Sequence, residues 1–294
     1  MGIKKSWIEI RISVPNEFID LISEFFFQCG VSSIQNIETE DQKTILITYL
    51  KNEKNIDKTI EGINHWLSSN FLKVNTLSTK NIIETDWIEK TRSSFKPLKI
   101  GRKLWIQPSW SNEETPNGRI KIILDPGSSF GTGRHPTTKF ALISIENFLK
   151  KKNINHFLDI GCGSGILIVA ALKLGAKNGT AFDIDAQAVE NTRKLLCSNG
   201  VKKRAIVINE TLHKKHLESS LGKIDFITAN IFLDPLQKLF PLFAEVLNPE
   251  GILLITGITP KQCDNFSKIC GDFSLKLSSK ETKLNWSKME FVKN

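Results

Sequence analysis

Three glycines alternate with small residues in the segment LDIGCGSGIL, at Gly161, Gly163 and Gly165. An apolar stretch typical of a strand precedes them and one typical of a helix follows, so they fall at a strand-to-helix turn. Glycines let the backbone pass close to a ligand, and the free amides at a helix N-terminus attract negative charge. The spacing GxGxG differs from the dinucleotide fingerprint GxGxxG, whose third glycine would fall at Ile166. The loop is either a tight turn or the cradle of a ligand without a pyrophosphate, a description that S-adenosylmethionine (SAM) meets.

Three aspartates accompany this loop. Asp183 ends the next predicted strand, GTAFD, 20 residues after Gly163, where a carboxylate can accept hydrogen bonds from both hydroxyls of a ribose. Asp185 stands before a helical stretch and is expected to cap it. Asp159 stands just before the glycines. It either holds the loop, the role we favour, or pairs with the ammonium group of the ligand.

A further polar residue, Asn230, ends the later strand in TANIFLDPL. It would lie at the carboxyl edge of the sheet, where open α/β sheets bind ligands. The amide can accept a hydrogen bond from a substrate amine or hold the cofactor. The alternative is an ordinary asparagine turn after a strand.

The segment DPGSSFGTGRHPTT, residues 125–138, resembles a phosphate loop at first sight. It does not fit one, because five residues separate Gly127 from Gly133, and Arg134 and His135 stand where Lys and Ser or Thr are required. With one histidine it also makes a poor metal site. Pro136 suits the first turn of a helix whose positive end carries the threonines.

We expect this segment to fold over the cofactor. Its glycines at 127, 131 and 133 would allow the bend, Thr138 would touch the cofactor, and Phe130 would help to exclude water. No dedicated catalytic base is evident, and the catalytic residue stays unknown. His213 and His216 share a helix face if their segment is helical, but no third ligand accompanies them, so we expect no metal.

The elements that position these residues alternate strand and helix from residue 118 onward, which predicts an α/β fold with a parallel sheet and helices on both faces. The tail, residues 273–293, is typical of a closing pair of strands. Residues 8–77 follow the order βαββαβ of a ferredoxin-like α+β domain, with a helix stopped by Gly30 and a last strand in FLKVNTLS, residues 71–78.

Three domains follow from this pattern: residues 1–80, a ferredoxin-like domain with a protein-docking or purely structural role, which we expect to be substrate recognition; residues 81–117, a Trp-rich connector with a short helix and a hairpin; and residues 118–294, the α/β domain that carries the glycine loop. Trp87, Trp105 and Trp110 lie in the connector, where they could seal a seam between domains or contact a partner. The predicted first strand, IEIRISV, offers no aromatic and the third only Tyr49, so we expect no direct nucleic-acid readout.

The composition of the chain restricts its binding partners and its cellular compartment. The chain of 294 residues carries a formal net charge of +9, which suits a negatively charged partner such as RNA, the ribosome or an acidic protein surface, or reflects a biased genome. Five cysteines, an odd number without a CxxC pair, favour a reducing compartment. No apolar run is long enough to span a membrane and the start lacks a signal peptide, so we expect the cytoplasm and no membrane partner.

Together these motifs resemble the ribosomal protein L11 methyltransferase family, PrmA. The resemblance covers nearly the whole chain and includes the N-terminal domain, the DW…LWIQPSW connector, DIGCGSGIL, DIDAQAVENT and ANIFLDPL. Its most specific part is FGTGRHPTT, because generic SAM enzymes share the glycine loop and lack this segment.

The resemblance implies a Rossmann-like class I SAM-dependent methyltransferase sheet and an enzyme that trimethylates lysine and N-terminal amines of ribosomal protein L11. Cofactor contacts carry over to Thr138, with Thr137 as the fallback, and to Gly161, Asp183 and Asn230. The chain departs from the family at SS, residues 128–129, and at NIFL, where Phe232 and Leu233 could reshape the amine entrance. A noncatalytic ribosome or RNA binder, or a methyltransferase for RNA or another protein, are the alternatives.

Overall fold

The computed structural model describes residues 6–29, 31, 34–39, 43–52, 55–70, 77–83, 95–125, 133, 135–219, 224–269, 273–283 and 285–294. The chain divides into two compact units between Phe95 and Lys96. Within the described ranges, none of the helices is long and apolar enough to cross a membrane.

The N-terminal unit is a four-stranded antiparallel sheet with two helices. Its elements are β1 Ser6–Pro15, α1 Ile19–Gln28, β2 Ile34–Glu38, β3 Lys43–Lys51, α2 Ile56–Asn70 and β4 Ser78–Ile83. The strand order is β2-β3-β1-β4. Alternate residues of β1, namely Ile10, Ile12 and Val14, are buried in one cluster with Ile22 of α1 and Ile63 of α2. This is the predicted βαββαβ order.

Two details of this unit differ from the predictions. The last strand begins at Ser78, at the end of the predicted stretch 71–78, and residues 71–76 lie outside the described chain. As an edge strand with mostly exposed side chains, STKNII lacks the apolar alternation that the prediction relied on. The first strand begins earlier than predicted and includes Trp7, so it does carry an aromatic residue. Gly30, which we predicted to end the first helix, also lies outside the residues that the structure describes.

A three-stranded sheet opens the C-terminal unit. Its strands are β5 Leu98–Ile100, β6 Leu104–Gln107 and β7 Ile120–Ile123, with β5 antiparallel and β7 parallel to β6. Leu104, Ile106 and Ile122 are buried in one of the two cores of this unit. Residues 98–107 therefore form the predicted hairpin but pack as part of the C-terminal unit, and the unit boundary at 95/96 differs from the predicted boundaries after 80 and 117. The predicted short helix and Trp87 fall in residues 84–94, outside the described chain.

The main sheet follows. Its elements are α3 Pro136–Leu149, β8 His156–Ile160, α4 Ile166–Leu174, β9 Asn178–Phe182, α5 Ala186–Ser198, β10 Ala205–Ile208, α6 Lys214–Ser219, β11 Ile224–Asn230, α7 Leu233–Val246, β12 Leu247–Ile258, α8 Pro260–Ile269, β13 Leu275–Lys283 and β14 Trp286–Lys293. The strand order is β10-β9-β8-β11-β12-β14-β13. The first five strands are parallel, whereas β14 is antiparallel to both neighbours.

Both faces of this sheet are covered. Successive residues of β8 enter different cores, since Phe157 belongs to the cluster on one face and Leu158 to the cluster on the other. A parallel strand covered on both faces has a continuous apolar sequence, as HFLDI nearly has. The doubly wound order, reversing next to β8, places a crevice at the carboxyl ends of β8 and β11. The predicted Rossmann-like α/β fold with a closing pair of strands is confirmed.

Candidate active site

The glycine loop joins the end of β8 to the start of α4 in a conformation that requires glycine. Its three glycines, Gly161, Gly163 and Gly165, have φ angles of 70°, 54° and 83°. The amide of Gly161 donates to the carbonyl oxygen of Phe182 at 2.9 Å, which ties the loop to the end of β9. Side chains at these positions would be strained because positive φ suits glycine.

Close neighbours also exclude side chains from the loop. A Cβ atom built on Gly161 would lie 2.2 Å from Cγ2 of Ile231, and one built on Gly165 would lie 2.8 Å from the side chain of Thr192. The buried hydroxyl of Thr192 donates to the carbonyl oxygen of Gly163 at 3.2 Å. The loop is thus fixed from α5 on one side and from the end of β11 on the other.

Asp183, at the end of β9, holds the glycine loop. Its Oδ2 accepts from the amide of Gly163 at 2.9 Å, and its Oδ1 accepts from the amide of Asp185 at 3.0 Å. A carboxylate has about four acceptor positions, so both oxygens can accept a further hydrogen bond from a ligand. Asp185 is the N-cap of α5, as predicted, and accepts from the amide of Gln187 at 2.9 Å.

Asp159 lies in a different environment from the one we favoured. Its Oδ1 accepts from the hydroxyl of Thr228, on the neighbouring strand β11, at 2.8 Å. The hydrogen bond to the loop amide comes from Asp183, so the loop-holding role belongs to that residue instead. Sequence position alone could not separate the two aspartates, because both come at the end of a strand beside the loop.

The carboxyl group of Asp159 is fully buried, with 0% of the residue exposed. Burial raises its pKa from 3.8 to about 7, and the charge of Asp183 acts in the same direction. The Thr228 hydroxyl and the Ile168 amide, in the first turn of α4, act against this rise. Its Oδ2 is buried and has no hydrogen-bond partner among the described residues.

Two more buried polar atoms lack partners within the described chain, Oδ1 of Asn230 and Oγ1 of Thr138. Asn230 is the last residue of β11, and a Cβ atom on Gly257 would lie 3.0 Å from its Oδ1. Thr138 lies in the first turn of α3. The neighbouring Thr137 hydroxyl is 2.7 Å from Nδ1 of His135, so it is already engaged.

These three unsatisfied atoms indicate a polar ligand. Asp159 is paired in register with Thr228, two residues before Asn230, so both residues lie at the carboxyl ends of adjacent strands. Buried polar groups in native proteins nearly always have partners, and the exceptions call for an explanation. A ligand with an ammonium group and hydroxyl groups would satisfy them, which fits SAM.

His135 caps α3 and contacts the closing strands. Its Nδ1 accepts from the amide of Thr137, and its ring lies edge-on to Trp286 of β14 with the ring centroids 5.0 Å apart. Burial, together with the charge of Lys139, lowers the pKa of His135 to about 4. The imidazole is therefore neutral at pH 7 and is a weak base.

The remaining predicted features have mixed outcomes. His213 and His216 stack with ring centroids 5.9 Å apart, and the described residues contain no group of three or more potential metal ligands. Phe232 caps the start of α7 and is 74% exposed beside Asn230. Gly133 is buried with a φ of 79°, whereas residues 126–132, with Phe130, lie outside the described chain. Folding of that segment over the cofactor therefore stays a prediction.

Sequence reasoning missed Thr192 and Thr228, which fix the loop and Asp159. Each is fully or almost fully buried. Thr192 stands at helical spacing from the buried Ala188 and Leu195 of α5, and Thr228 stands between Ile227 and Ala229 in β11. Those positions could mark the two threonines as internal hydrogen-bond donors, but they could not name the partners.

The glycine loop after the first strand of the main sheet, the carboxylate after the second and the antiparallel closing strand define a Rossmann-like methyltransferase domain. The chain belongs to the family described as ribosomal protein L11 methyltransferase (PrmA), whose model matches residues 6–294.

Individual relatives agree with this assignment. A ribosomal protein L11 methyltransferase from Nitrosomonas europaea is 28% identical over 94% of this chain and 95% of its own length. One from Shewanella woodyi is 33% identical over 87% of this chain and 89% of its own. The crystal structure of a ribosomal protein L11 methylase from Lactobacillus delbrueckii subsp. bulgaricus matches with a TM-score of 0.61 and 30% identity, covering 68% of this chain and all of the solved one.

Proposed function

We propose that this protein transfers methyl groups from SAM to amines of ribosomal protein L11, on lysine side chains and at the N-terminus. The observation that carries the proposal is a set of three buried polar atoms without partners among the described residues: Oδ2 of Asp159 and Oδ1 of Asn230 at the carboxyl ends of β8 and β11, and Oγ1 of Thr138 in the first turn of α3. Family membership and the names of the relatives support the substrate.

Each predicted cofactor residue has a role that its surroundings support. Asp183 would accept from the ribose hydroxyls, since its oxygens retain acceptor positions. Gly161 would let the cofactor approach the loop, while Thr138 and Asn230 offer oxygen atoms that have no partner in the described part of the chain. Because Asp183 accepts from the loop amide, Asp159 is the carboxylate best suited to bind the ammonium group in the methionine part of SAM.

The bound cofactor supplies an electrophilic methyl group on a sulfonium. The substrate nitrogen must be neutral to attack this methyl group, yet a free lysine has a pKa of about 10.4 and carries a proton at pH 7. With its pKa lowered to about 4, His135 would hold that proton poorly. We infer that the site works by positioning: an oxygen of Asn230 that already faces the cofactor can also accept from the free amine, and the exposed side chain of Phe232, two residues further on, borders the entrance.

The N-terminal unit and the cysteines bear on how and where the protein meets its substrate. We infer that the N-terminal unit, with its βαββαβ fold, recognises the ribosomal protein, and that the enzyme works in the cytoplasm, where ribosomal proteins are made. The four cysteines in the described part of the chain are free thiols, which suits a reducing compartment.

Calorimetric titration with SAM tests the cofactor part of the proposal. We expect saturable binding in the wild type and at least a tenfold weaker affinity in Asp183→Ala, which loses charged acceptors for the ribose and the anchor of the loop. Asp185→Ala is the matched control, because it removes a carboxylate two residues away that caps a helix. Its stability should fall by about 1 kcal/mol with little change in affinity.

Two results would contradict this account. Absence of heat and saturation at millimolar SAM would sink the methyltransferase proposal. Wild-type affinity in Asp183→Ala would leave the cofactor in place but show that another carboxylate binds the ribose.

A further inference from the structure

The amino ends of the parallel strands carry a concentration of positive charge far from the proposed site. Three segments lead into adjacent strands there: residues 150–152 precede β8, residues 173–177 precede β9, and residues 202–204 precede β10. They contain eight cationic residues and no carboxylate, namely Lys150, Lys151, Lys152, Lys173, Lys177, Lys202, Lys203 and Arg204. We call this set the basic edge.

The basic edge is one continuous surface. The amide of Lys177 donates to the carbonyl oxygen of Ile154 at 3.0 Å, which joins the second segment to the chain after the first. The guanidinium of Arg204 donates to the carbonyl oxygens of Ala176 and Leu172, each at 3.0 Å, which joins the third segment to the second. Adjacent strands are about 4.8 Å apart, so the cations lie within a narrow band.

Some of this charge has a structural purpose. Lys152 forms an ion pair with Glu250 at 3.0 Å. The ammonium group of Lys173 donates to the carbonyl oxygen of Lys121 at 2.7 Å. Arg204 satisfies carbonyl groups at the C-terminal end of α4, where a cation is favourable. These three residues need no external partner.

The other five lysines are different. Lys150, Lys151, Lys177, Lys202 and Lys203 are exposed, and their side chains make no hydrogen bond or ion pair with any residue that the structure describes.

Two carboxylates border the basic edge, and each is already held by other groups. Glu250 is paired with Lys152, and Asp225 accepts from the amides of Asn155 and His156 and from the amide side chain of Asn248. Repulsion between neighbouring lysines opposes folding, so an anionic ligand would relieve it.

We propose that the basic edge binds the sugar–phosphate backbone of RNA without reading its sequence. Lysines bind phosphates as point charges, and several together give a sequence-independent, salt-sensitive affinity. The three segments contain no aromatic residue, so they offer no surface for base stacking. They also lack the large exposed apolar side chains that accompany cations in membrane-surface binders.

The choice of RNA rests in part on the proposed function, since a ribosomal protein is assembled with RNA. The geometry makes the two activities compatible. The cofactor residues lie at the carboxyl ends of the strands and the basic edge lies at their amino ends, so RNA bound there leaves the site open.

Fluorescence anisotropy with a labelled single-stranded RNA of mixed sequence tests the proposal over a range of salt concentrations. The edge variant is Lys151→Gln, Lys177→Gln, Lys202→Gln and Lys203→Gln combined. The control combines Lys238→Gln, Lys261→Gln, Lys276→Gln and Lys283→Gln, which removes the same charge from exposed lysines of the same unit. We expect the edge variant to lower the slope of log affinity against log salt by up to about 3, and the control to keep the wild-type slope.

Equal losses in both variants would overturn the proposal, because net charge alone would then explain binding. Absence of wild-type binding at low salt would overturn it too. Edge-dependent binding to phosphatidylserine vesicles without binding to RNA would show a lipid surface instead. The assay contains neither SAM nor L11, so its failure leaves methyl transfer untouched. SAM affinity, measured in parallel, should be the same in the edge variant as in the wild type.

Discussion

Asp159 occupies the most unfavourable environment among the residues of the site. It is buried on all sides, one of its oxygens has no partner among the described residues, and its pKa is raised to about 7. A buried carboxylate without a cation destabilises the protein that holds it. Such a cost is expected at a binding site, where a ligand supplies the missing partner.

The direction of the pKa shift of Asp159 determines how its contribution to stability varies with pH. The folded protein holds the proton more tightly than the unfolded chain, whose carboxyl has a pKa near 3.8. The favourable contribution of the protonated group is therefore fully present below about pH 4, and it is lost as the pH rises through about 7.

Asp159→Asn should separate stability from binding. Without cofactor, its stability relative to the wild type should increase between pH 5 and pH 8 by up to roughly 3 kcal/mol, because the amide does not ionise. Its SAM affinity should fall, since the ammonium group loses an anionic partner. Thermal unfolding and calorimetry across that pH range measure both effects. Parallel stability profiles for the two proteins would contradict this interpretation of Asp159.

Thr138→Val tests the second unpartnered atom. Valine keeps the shape of the side chain and removes a buried hydroxyl that has no partner among the described residues. We expect unchanged or slightly higher thermal stability but a SAM dissociation constant raised by about threefold to tenfold, the effect of one lost hydrogen bond.

Thr137→Val is the matched control for Thr138. Its hydroxyl contacts the ring of His135, so its loss should lower the melting temperature and leave SAM affinity nearly unchanged. The opposite pattern, with Thr137 controlling affinity, would make that residue the cofactor contact.

At the scale of elements, the closing strand β14 positions α3, whose first turn carries Thr138. Ser144 of α3 donates to Glu290 of β14 at 2.7 Å, and the buried Lys288 bonds Ser144 and Glu290, each at 3.2 Å. The contact between His135 and Trp286 lies at the other end of this interface. The antiparallel tail therefore holds α3 in place, and with it the first turn where we propose that Thr138 contacts the cofactor.

Gly161→Ala should lower stability by more than the strain at its positive φ angle alone would. An alanine there adds backbone strain of about 1–3 kcal/mol, and its Cβ atom would also collide with Ile231, 2.2 Å away. Gly175→Ala is the control, because its φ is 122° but no atom lies within 4 Å of the new Cβ. Chemical denaturation should show the larger loss for position 161, with SAM binding lost there alone. Equal losses would mean that crowding by Ile231 has no effect.

Elements that are buried in the main sheet could be predicted from the sequence more accurately than an edge strand or the connector. The buried parallel strands and the glycine loop were predictable, because burial on both faces leaves an apolar run and the turn demands glycine. β4 was misplaced, because an edge strand has little apolar pattern. The membership of residues 98–107 in the C-terminal unit depends on packing of Leu104 and Ile106 against distant residues, which local pattern does not reveal.

The residues of the site could be predicted from the sequence, but their hydrogen-bond partners could not. Asp183 and Asp159 were both singled out, but which one binds the loop amide depends on the register between β8, β9 and β11. Only three-dimensional contacts distinguish them.

For the whole molecule, the two ends of the main sheet have different chemistry. The carboxyl ends hold the glycine loop, Asp159 and Asp183, whereas the amino ends hold the basic edge. Eight cationic residues, five of them without a partner among the described residues, therefore lie at the end of the sheet opposite the proposed cofactor site. Such a distribution allows a cationic cofactor and an anionic polymer to bind the same unit at separate places.

Methyl transfer by the intact protein tests the central claim most directly. The protein is incubated with SAM carrying a labelled methyl group, together with separated ribosomal proteins and ribosomal RNA, and the labelled product is identified by mass spectrometry. Our account predicts label on lysine side chains or the N-terminal amine of ribosomal protein L11, with the number of methyl groups read from the product mass. Label in RNA alone, or on other proteins without L11, would contradict it.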